Sequence, residues 1–272
     1  MINRTVTLNN GIEMPLLGLG IYTPGEQNEV RTAVSQAIEE GYRLLDTASI
    51  YQNETEVGQG IKDSGINREK LFITSKVWND EQGYDNTLKA YDASLKNLQT
   101  DYLDLYLIHW PIRELRKDTW LALEKLYADK RVRAIGVSNY YQPHLDELNT
   151  YSTVVPAVNQ FEFHPCMYLP ELLEQCKAIG IQPEGYSPLI RGKAEDNEVI
   201  TTIANQHGKS TYQVLIRWSM QHGVVTIPKS TNKERLRANF EVWDFELTED
   251  NMRQLNSFQS TIRIADDPMT YL

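Results

Sequence analysis

Four ionisable side chains follow short apolar segments and could meet in one pocket. Asp46 and Tyr51 lie five positions apart after one such segment, and Lys76 and His109 end two later ones. Roughly 30 residues separate Asp46 from Lys76, and Lys76 from His109, which is about the length of one strand-plus-helix unit. Parallel strands joined by helices bring their carboxyl ends to one face. The spacing therefore predicts that the four groups share a site.

These four groups are suited to the reduction of a carbonyl group. The phenol of Tyr51 has an ordinary pKa near ~10, and a cationic Lys76 nearby is expected to lower that pKa by stabilising the phenolate. Asp46 would keep Lys76 charged, and His109 could donate a hydrogen bond to a substrate oxygen. The set predicts a proton donor that faces an oxygen gaining negative charge.

The segments that must position these groups alternate between strand and helix patterns. Apolar runs predict eight strands, near residues 16–19, 43–46, 71–75, 103–108, 132–137, 157–161, 181–186 and 224–228. Helical patterns lie between them, near residues 26–40, 55–63, 84–98, 119–128, 142–149, 170–179 and 198–221, the last broken at His207-Gly208. Eight such units in 272 residues predict an α/β fold, a (β/α)8 TIM barrel in a single domain, residues 1–272.

The two ends of the chain predict additions to the barrel. Asn9-Asn10-Gly11 lies between alternating residues and predicts an N-terminal β-hairpin. Near the other end, Thr231 and Glu234 fit a capping box, so a helix is expected to begin there. A further helix is predicted from Thr248, followed by a polar tail.

A basic cluster surrounds the predicted capping box. Four positive charges fall within nine residues: Lys229, Lys233, Arg235 and Arg237. A helix N-terminus beside cationic side chains is a good site for an anion. Barrels often bind phosphate in this region, after strands 7 and 8. The cluster therefore predicts a phosphate-binding site, with a solvated basic helix face as the alternative.

Composition excludes several classes of protein. The formal charge of −10 argues against nucleic acid or an anionic membrane as the main partner. No apolar run approaches the ~18 residues of a membrane helix, and the start of the chain does not resemble a signal peptide. Cys166 and Cys176 are expected to be thiols in a reducing compartment. The histidines show no metal-ligand spacing. These features predict a cytoplasmic protein without a metal.

Seven motifs in chain order resemble the aldo-keto reductase superfamily, in particular its bacterial-type NADPH-dependent members, the diketogluconate and glyoxal reductases. They are Gly41-Tyr-Arg-Leu-Leu-Asp46-Thr-Ala48, Ile73-Thr-Ser-Lys76, Leu107-Ile-His109-Trp-Pro111, Gly136-Val-Ser-Asn139, Asn159-Gln-Phe-Glu-Phe-His-Pro165, Gly185-Tyr-Ser-Pro188 and Ile227-Pro-Lys-Ser-Thr231. The resemblance covers nearly the whole chain.

The resemblance implies a (β/α)8 barrel that uses NADPH to reduce carbonyl compounds. Tyr51 would be the general acid, Lys76 and Asp46 would tune it, and His109 would orient the carbonyl group. The implied cofactor-binding residues are Gly20, Ile21, Asp46, Ser138, Asn139, Gln160, Tyr186, Ser187, Leu189, Lys229, Ser230, Arg235 and Asn239. Tyr22, Tyr51, Trp78, His109 and Trp110 would bind substrate. Relatives of this size are often monomers, so a monomer is expected.

Three positions depart from the pattern of the relatives. Ala238 occupies a position where many of them have an adenine-contacting Glu, and Tyr22 occupies that of a pocket-lining Trp. Ile190 occupies a position where Gly is common, in a loop expected to cover the cofactor pyrophosphate. None of the three belongs to the predicted tetrad.

Three functions are compatible with this reading. The first is an NADPH-dependent reductase of small aldehydes, dicarbonyls such as methylglyoxal, or sugar-derived ketones. The second is a lyase in which Lys76 forms a Schiff base, which a paired Asp46 would oppose by keeping the lysine protonated. The third is a non-catalytic NADPH-binding barrel, against which the complete tetrad argues.

Overall fold

Eight short parallel strands form the centre of the molecule in the computed structural model, which describes residues 3–23, 27–193, 197–258 and 262–272. In chain order they are β3 (Leu19–Gly20), β4 (Leu44–Asp46), β5 (Phe72–Val77), β6 (Leu103–Ile108), β7 (Val132–Ser138), β8 (Val158–Glu162), β9 (Gln182–Tyr186) and β10 (Val225–Thr226). Each pairs in parallel with the next. All eight coincide with or overlap the predicted runs.

Backbone contacts between the first and last strands close the sheet into a barrel. Leu17 forms a parallel bridge with Thr226. The amide of Gly18 donates to the carbonyl of Thr226 at 2.9 Å, and the amide of Thr226 donates to the carbonyl of Leu16 at 3.0 Å. Because no strand edge is left unpaired at this seam, the predicted (β/α)8 fold is confirmed.

Helices cover the outside of the barrel. They are α1 (Gln27–Glu40), α2 (Glu54–Ser64), α3 (Tyr84–Leu98), α4 (Arg116–Ala128), α5 (Gln142–Asn149), α6 (Pro170–Ala178), α7 (Glu198–His207), α8 (Thr211–Gln221), α9 (Lys233–Phe240) and α10 (Glu249–Asn256). The predicted break between α7 and α8 is confirmed, since Gly208 adopts a φ of 63° there. None of the helices in the described residues is both long and apolar enough to cross a membrane.

The predicted additions at both ends are present. Strands β1 (Thr5–Thr7) and β2 (Glu13–Pro15) form an antiparallel hairpin, with Gly11 at a φ of 85° in its turn. Helices α9 and α10 follow the last strand. The capping box predicted for α9 is wrong: Asn232, not Thr231, is the N-cap, and its side chain accepts from the amide of Arg235 at 3.0 Å. Both residue types cap helices well, and the backbone selects the later one.

A buried carboxylate ties three neighbouring strands together. Asp104 in β6 has no exposed side-chain surface and accepts from the amide of Ile73 in β5 at 2.9 Å. It also forms salt bridges to Arg68 at 2.7 Å and to Arg133 in β7 at 2.6 Å. These strands carry Lys76, His109 and the Ser138–Asn139 segment at their opposite ends. The Asp104 network therefore helps to set the positions of the groups at the candidate site.

We expect Asp104→Ala to lower the free energy of unfolding by about 2–4 kcal/mol, somewhat less than for a fully buried pair because Arg133 is half exposed. The loss arises because Ile73 and both guanidinium groups lose their shared acceptor. Urea unfolding followed by circular dichroism measures it. Asp129→Ala, which removes an exposed partner of Lys125, is the control and should change stability little. Equal losses in the two variants would contradict this account of the network.

Candidate active site

The four predicted groups come together at the carboxyl ends of neighbouring strands. Asp46 is the last residue of β4, Lys76 lies near the end of β5, and His109 directly follows β6. The Nζ atom of Lys76 is 5.4 Å from the centroid of the Tyr51 ring, and the Tyr51 and His109 ring centroids are 5.7 Å apart. The proximity expected from the spacing of the motifs is therefore present.

A short turn holds Tyr51 over these strand ends. The 3-10 turn Ser49–Tyr51 follows β4, and the amide of Tyr51 donates to the carbonyl of Ala48 at 3.0 Å. The Ser49 hydroxyl donates to Glu81 Oε2 at 2.5 Å and lies 3.2 Å from the carbonyl oxygen of Lys76. The Ser49 side chain thus ties the turn to the end of β5 and to the segment Asn79–Glu81 that follows it.

Lys76 and Asp46 form an ion pair that solvent does not reach. Lys76 Nζ donates to Asp46 Oδ1 at 2.6 Å and to the carbonyl of Thr47 at 2.9 Å, and its side chain has no exposed surface. Burial acts to lower the pKa of Lys76, but the nearby Asp46 and Tyr51 outweigh it and raise that pKa. Burial raises the pKa of Asp46, and Lys76 opposes this shift. Lys76 is therefore a cation at neutral pH.

Lys76 acts to lower the pKa of Tyr51, as expected, but the pKa as a whole is raised from its ordinary value of 10.0. Burial of the phenol raises its pKa, and the charge and hydrogen bond of Lys76 lower it by less. The charge of Asp46 adds to the rise. Tyr51 is consequently protonated at neutral pH, which is the form that a proton donor requires. Lys76 still reduces the cost of forming the phenolate.

His109 is an uncharged hydrogen-bonding group at neutral pH. The residue is buried, and burial together with the charge of Lys76 holds its pKa well below the ordinary value of 6.5. A neutral imidazole donates from one ring nitrogen and accepts at the other. His109 can therefore donate a hydrogen bond that orients a substrate oxygen, whereas the Tyr51 phenol is the group placed to give up a proton.

Aromatic rings form the wall beside these groups. The Trp78 ring is 5.0 Å from His109, and the Tyr22 ring, 48% exposed, is 5.0 Å from Tyr51. Trp110 packs against Tyr271 from the C-terminal tail, with ring centroids 5.4 Å apart. Tyr22 and Trp78 thus pack against the tetrad, and Trp110 lies beside the tail. Such a wall suits a small carbonyl compound with an apolar or flat body.

Among the predicted cofactor-binding residues, Asn139 already forms hydrogen bonds within the protein. Its Nδ2 donates to the carbonyl of His109 at 3.0 Å and to Ser138 Oγ at 3.2 Å. Its Oδ1 accepts from the Tyr186 hydroxyl at 2.8 Å. This holds the half-buried Tyr186 ring at the end of β9 as a platform on which a flat ring can stack.

Gln160 also has its amide nitrogen engaged. Its Nε2 donates to Asp46 Oδ2 at 2.8 Å and to Glu184 Oε2 at 2.9 Å. The side-chain oxygen Oε1 of Gln160 and the hydroxyl hydrogen of Ser138 remain to bind a ligand. An acceptor and a hydroxyl beside an aromatic platform fit a nicotinamide carboxamide, so the residues present suit the implied cofactor.

The residues predicted for the other end of the cofactor lie after β10 and within α9. Lys229 and Arg235 are exposed, whereas Ser230 and Asn239 are buried. Lys233 pairs with Glu39 at 3.3 Å; by contrast, Arg235 makes no salt bridge to any residue that the structure describes. A cation beside a helix N-terminus, with no acidic partner there, suits a phosphate.

Two loops lie between the parts of the site predicted for the two ends of the cofactor. Gly20 lies so close to β10 that a Cβ atom there would be 2.6 Å from the carbonyl oxygen of Ile227, and Ile21 next to it donates to the carbonyl of Asp46 at 2.9 Å. In the loop after β9, Ser187 and the buried Ile190 have φ values of 53° and 52°. A β-branched residue in this conformation is strained. Leu189 is half-buried in the same loop.

A family model of the aldo/keto reductase family matches residues 16–260. This chain belongs to the aldo/keto reductase family. The glyoxal reductase of Bacillus subtilis (strain 168) is 53% identical over 267 residues, covering 98% of this chain and 97% of that protein. The predicted resemblance and the predicted oxidoreductase class are confirmed.

Solved structures of the same family share the fold. An aldo-keto reductase from a Medee basin deep-sea metagenome library has a TM-score of 0.94 and 44% identity, with 97% of each chain covered. The Bombyx mori aldo-keto reductase, solved in complex with NADP, has a TM-score of 0.92 and 36% identity, covering 98% of this chain and 96% of that one.

The C-terminal tail of this aldo/keto reductase is held over the mouth by two buried charges. Glu162, at the end of β8, accepts from the amides of Ile264 and Ala265 at 2.7 and 2.9 Å. Arg116 donates to the carbonyl of Tyr271 at 2.8 Å. Together they place Tyr271 against the wall of the site.

The sequence reading missed the parts played by Glu162, Arg116, Tyr271 and Glu184. Glu162 stands inside a quoted motif, and Glu184 is an acid in the middle of a predicted strand, so both gave a signal as polar residues at buried positions. Arg116 and Tyr271 gave none, because only the folded chain brings the tail to α4. Among the described residues, no group of three His, Cys, Asp or Glu side chains could hold a metal ion.

We expect Glu162→Ala to release the tail from the mouth. The amides of Ile264 and Ala265 lose charge-assisted bonds of about 1.5–3 kcal/mol, so their hydrogen exchange should accelerate by roughly 10- to 100-fold. Exchange of β6 amides in the same sample reports whether the barrel stays intact, and the exposed Glu174→Ala is the control variant. Unchanged exchange in the tail would refute the clamp.

Proposed function

We propose that the protein is an NADPH-dependent reductase of small aldehydes, ketones and dicarbonyls, with Tyr51 as the proton donor. The observation that carries this proposal is a protonated phenol held beside a buried ammonium–carboxylate pair and a neutral imidazole, at the base of an aromatic mouth. This arrangement can supply a proton to an oxygen while the carbon next to it accepts a hydride.

The cofactor is NADPH, as the sequence predicts. NADP is the ligand of the solved Bombyx mori relative. When bound, the cofactor supplies the hydride that reduces the carbonyl carbon. The Ser138 hydroxyl and the side-chain oxygen Oε1 of Gln160 would hold its carboxamide, and the Tyr186 ring would stack on its nicotinamide. Lys229, Ser230 and Arg235 would hold the phosphate at its other end, with Asn239 near the adenine.

The tetrad residues have distinct tasks in the proposed reaction. Tyr51 Oη passes its proton to the carbonyl oxygen as negative charge develops there, and the Lys76 ammonium stabilises the phenolate that remains. Asp46 keeps Lys76 charged and immobile. His109 donates a hydrogen bond to the same carbonyl oxygen and so sets its direction. The aromatic wall excludes water from the reacting atoms.

The two alternative functions are less well supported. A Schiff-base lyase needs an uncharged and accessible Lys76 amine, whereas this amine is fully buried and paired with Asp46 at 2.6 Å. A non-catalytic barrel would not need the four groups in contact. Glyoxal is the substrate named for the Bacillus subtilis relative, which favours a small dicarbonyl for this chain as well.

We propose in addition that residues 1–272 form one catalytic domain that acts as a monomer in the cytoplasm. The continuous strand–helix alternation supports a single domain. Its partner would be a small carbonyl compound.

We expect Tyr51→Phe to reduce turnover by about 100- to 10,000-fold, because it removes the proton donor and leaves the ring in place. Loss of NADPH absorbance with methylglyoxal measures turnover, and quenching of tryptophan fluorescence measures cofactor binding, which should be unchanged. Tyr22→Phe, on the neighbouring ring, is the control and should keep most of the activity. Turnover by Tyr51→Phe within tenfold of the parent would contradict the role of Tyr51 as proton donor.

We expect Arg235→Ala to raise KM for NADPH by roughly 10- to 100-fold and to leave KM for NADH nearly unchanged, because only NADPH carries the extra phosphate. Lys233→Ala removes a nearby exposed charge that already pairs with Glu39, and it serves as the matched control. Steady-state rates at varied cofactor concentration give both constants. Parallel changes for the two cofactors would contradict phosphate recognition by Arg235.

A further inference from the structure

A continuous row of hydrogen bonds leads from the tetrad to a carboxyl group that the proposed reaction does not use. Lys76 donates to Asp46 Oδ1 at 2.6 Å, and Gln160 Nε2 donates to Asp46 Oδ2 at 2.8 Å. The same Gln160 nitrogen donates to Glu184 Oε2 at 2.9 Å. Glu184 lies in the middle of β9 and is fully buried. One amide group thus bridges two buried carboxyl groups.

The charges around Glu184 indicate its protonation state. If both acids were ionised, two carboxylates would face the single ammonium of Lys76. Glu184 Oε1 also has no hydrogen-bond partner within the described chain, so ionisation would leave part of the charge unpaired and buried. An unpaired buried charge costs more than a buried neutral hydroxyl without an acceptor.

Among the residues that the structure describes, no charged group besides Lys76 acts to balance a second carboxylate at Glu184. On one side, β8 supplies the neutral Gln160, and on the other, β10 supplies Val225 and Thr226. Helix α6 packs against β9, and its charged side chains are exposed to solvent: Glu171, Glu174 and Lys177. The charges that act on Glu184 are those of Asp46, which opposes its ionisation, and Lys76, which favours it.

We propose that Glu184 is a positioning residue that carries a proton at neutral pH and, through Gln160, holds Asp46 in line with Lys76. In this form the row from Lys76 through Asp46 and Gln160 to Glu184 contains one carboxylate and one ammonium. Both hydrogens of the Gln160 side-chain amide are then used, one by each carboxyl group. Burial, together with the charge of Asp46, raises the pKa of Glu184 to about 8.

Protonation of Glu184 also affects the reaction, and this part rests on the proposed function. A neutral Glu184 leaves the charge of Lys76 opposed by Asp46 alone, so Lys76 can stabilise the Tyr51 phenolate. Loss of the Glu184 proton adds a negative charge beside the pair and makes the phenolate less favourable. The reduction rate should therefore fall as pH rises through the Glu184 pKa.

The first test measures stability against pH in the wild type and in Glu184→Gln, which has the same shape and no proton to lose. The pKa of Glu184 is raised from its ordinary value of 4.5, so its favourable contribution is complete below that value and is lost as pH rises to about 8. The folded-to-unfolded ratio of the wild type, relative to Glu184→Gln, should fall on the order of 100-fold between about pH 6 and about pH 8, and level off above.

Asp104→Asn is the control for a buried acid whose charge is balanced by arginines. It should not show a growing advantage over the wild type across the same pH range. Urea unfolding gives the ratios. A difference between Glu184→Gln and the wild type that stays constant with pH would overturn the proposal.

A second test needs no variant and no turnover. Infrared spectra of the wild type, with glutamate labelled by ¹³C, should contain a carboxylic-acid C=O band at neutral pH that disappears above the Glu184 pKa. Absence of that band at neutral pH overturns the proposal, whatever the enzyme reduces. If the band is present but carbonyl compounds are not reduced, the inference on Glu184 stands and the proposed function fails.

A third readout separates positioning from simple packing. If Glu184 acts through the pair, the fall of kcat near pH 8 in the wild type should be missing in Glu184→Gln, while KM for NADPH changes little. Superimposable pH profiles of kcat would show that Glu184 has no influence on the tetrad.

Discussion

The buried pair of Lys76 and Asp46 is the constraint on which the rest of the site depends. Two charges removed from water are stable only when every donor and acceptor around them is matched. Here Lys76 has the Asp46 carboxylate and the Thr47 carbonyl as acceptors, and Asp46 receives a second bond from Gln160. The pair thus requires β4, β5 and β8 to place these three residues at the same level along the barrel axis. Tyr51 and His109 owe their protonation states largely to burial around it.

The charged and polar groups at the strand ends and the aromatic wall above them are held by separate contacts. Strand ends, whose backbone bonds are shared with their neighbours, provide the acid, the cation and the imidazole. The aromatic wall instead depends on loops and on the C-terminal tail, which Glu162 and Arg116 attach by hydrogen bonds to its backbone. Changes in the wall can therefore alter which carbonyl compound fits without disturbing the charges beneath. The fold supplies chemistry and selectivity through different parts of the chain.

The sequence by itself determined the barrel, its hairpin and the extra helices, and it predicted which four groups meet at the strand ends. These depend on local signals: short apolar runs for strands, helical periodicity between them, and polar residues at the strand ends. The prediction of the α9 cap missed by one residue, because Thr231 and Asn232 are both good caps and the choice depends on how the backbone leaves β10. Family motifs identified Tyr51, Lys76, Asp46 and His109 because those segments are contiguous in the chain.

Only the tertiary structure decided how strongly each group is buried and what it contacts across the barrel. The pKa of Tyr51 rises instead of falling because burial outweighs Lys76, and burial is a property of the whole fold. Gln160 meets Glu184 on the next strand, and the tail meets Arg116 and Trp110 from more than a hundred residues away. A sequence pattern records the spacing along one strand or helix. It does not record which side chains face each other inside a closed sheet, and those contacts set the charges of the site.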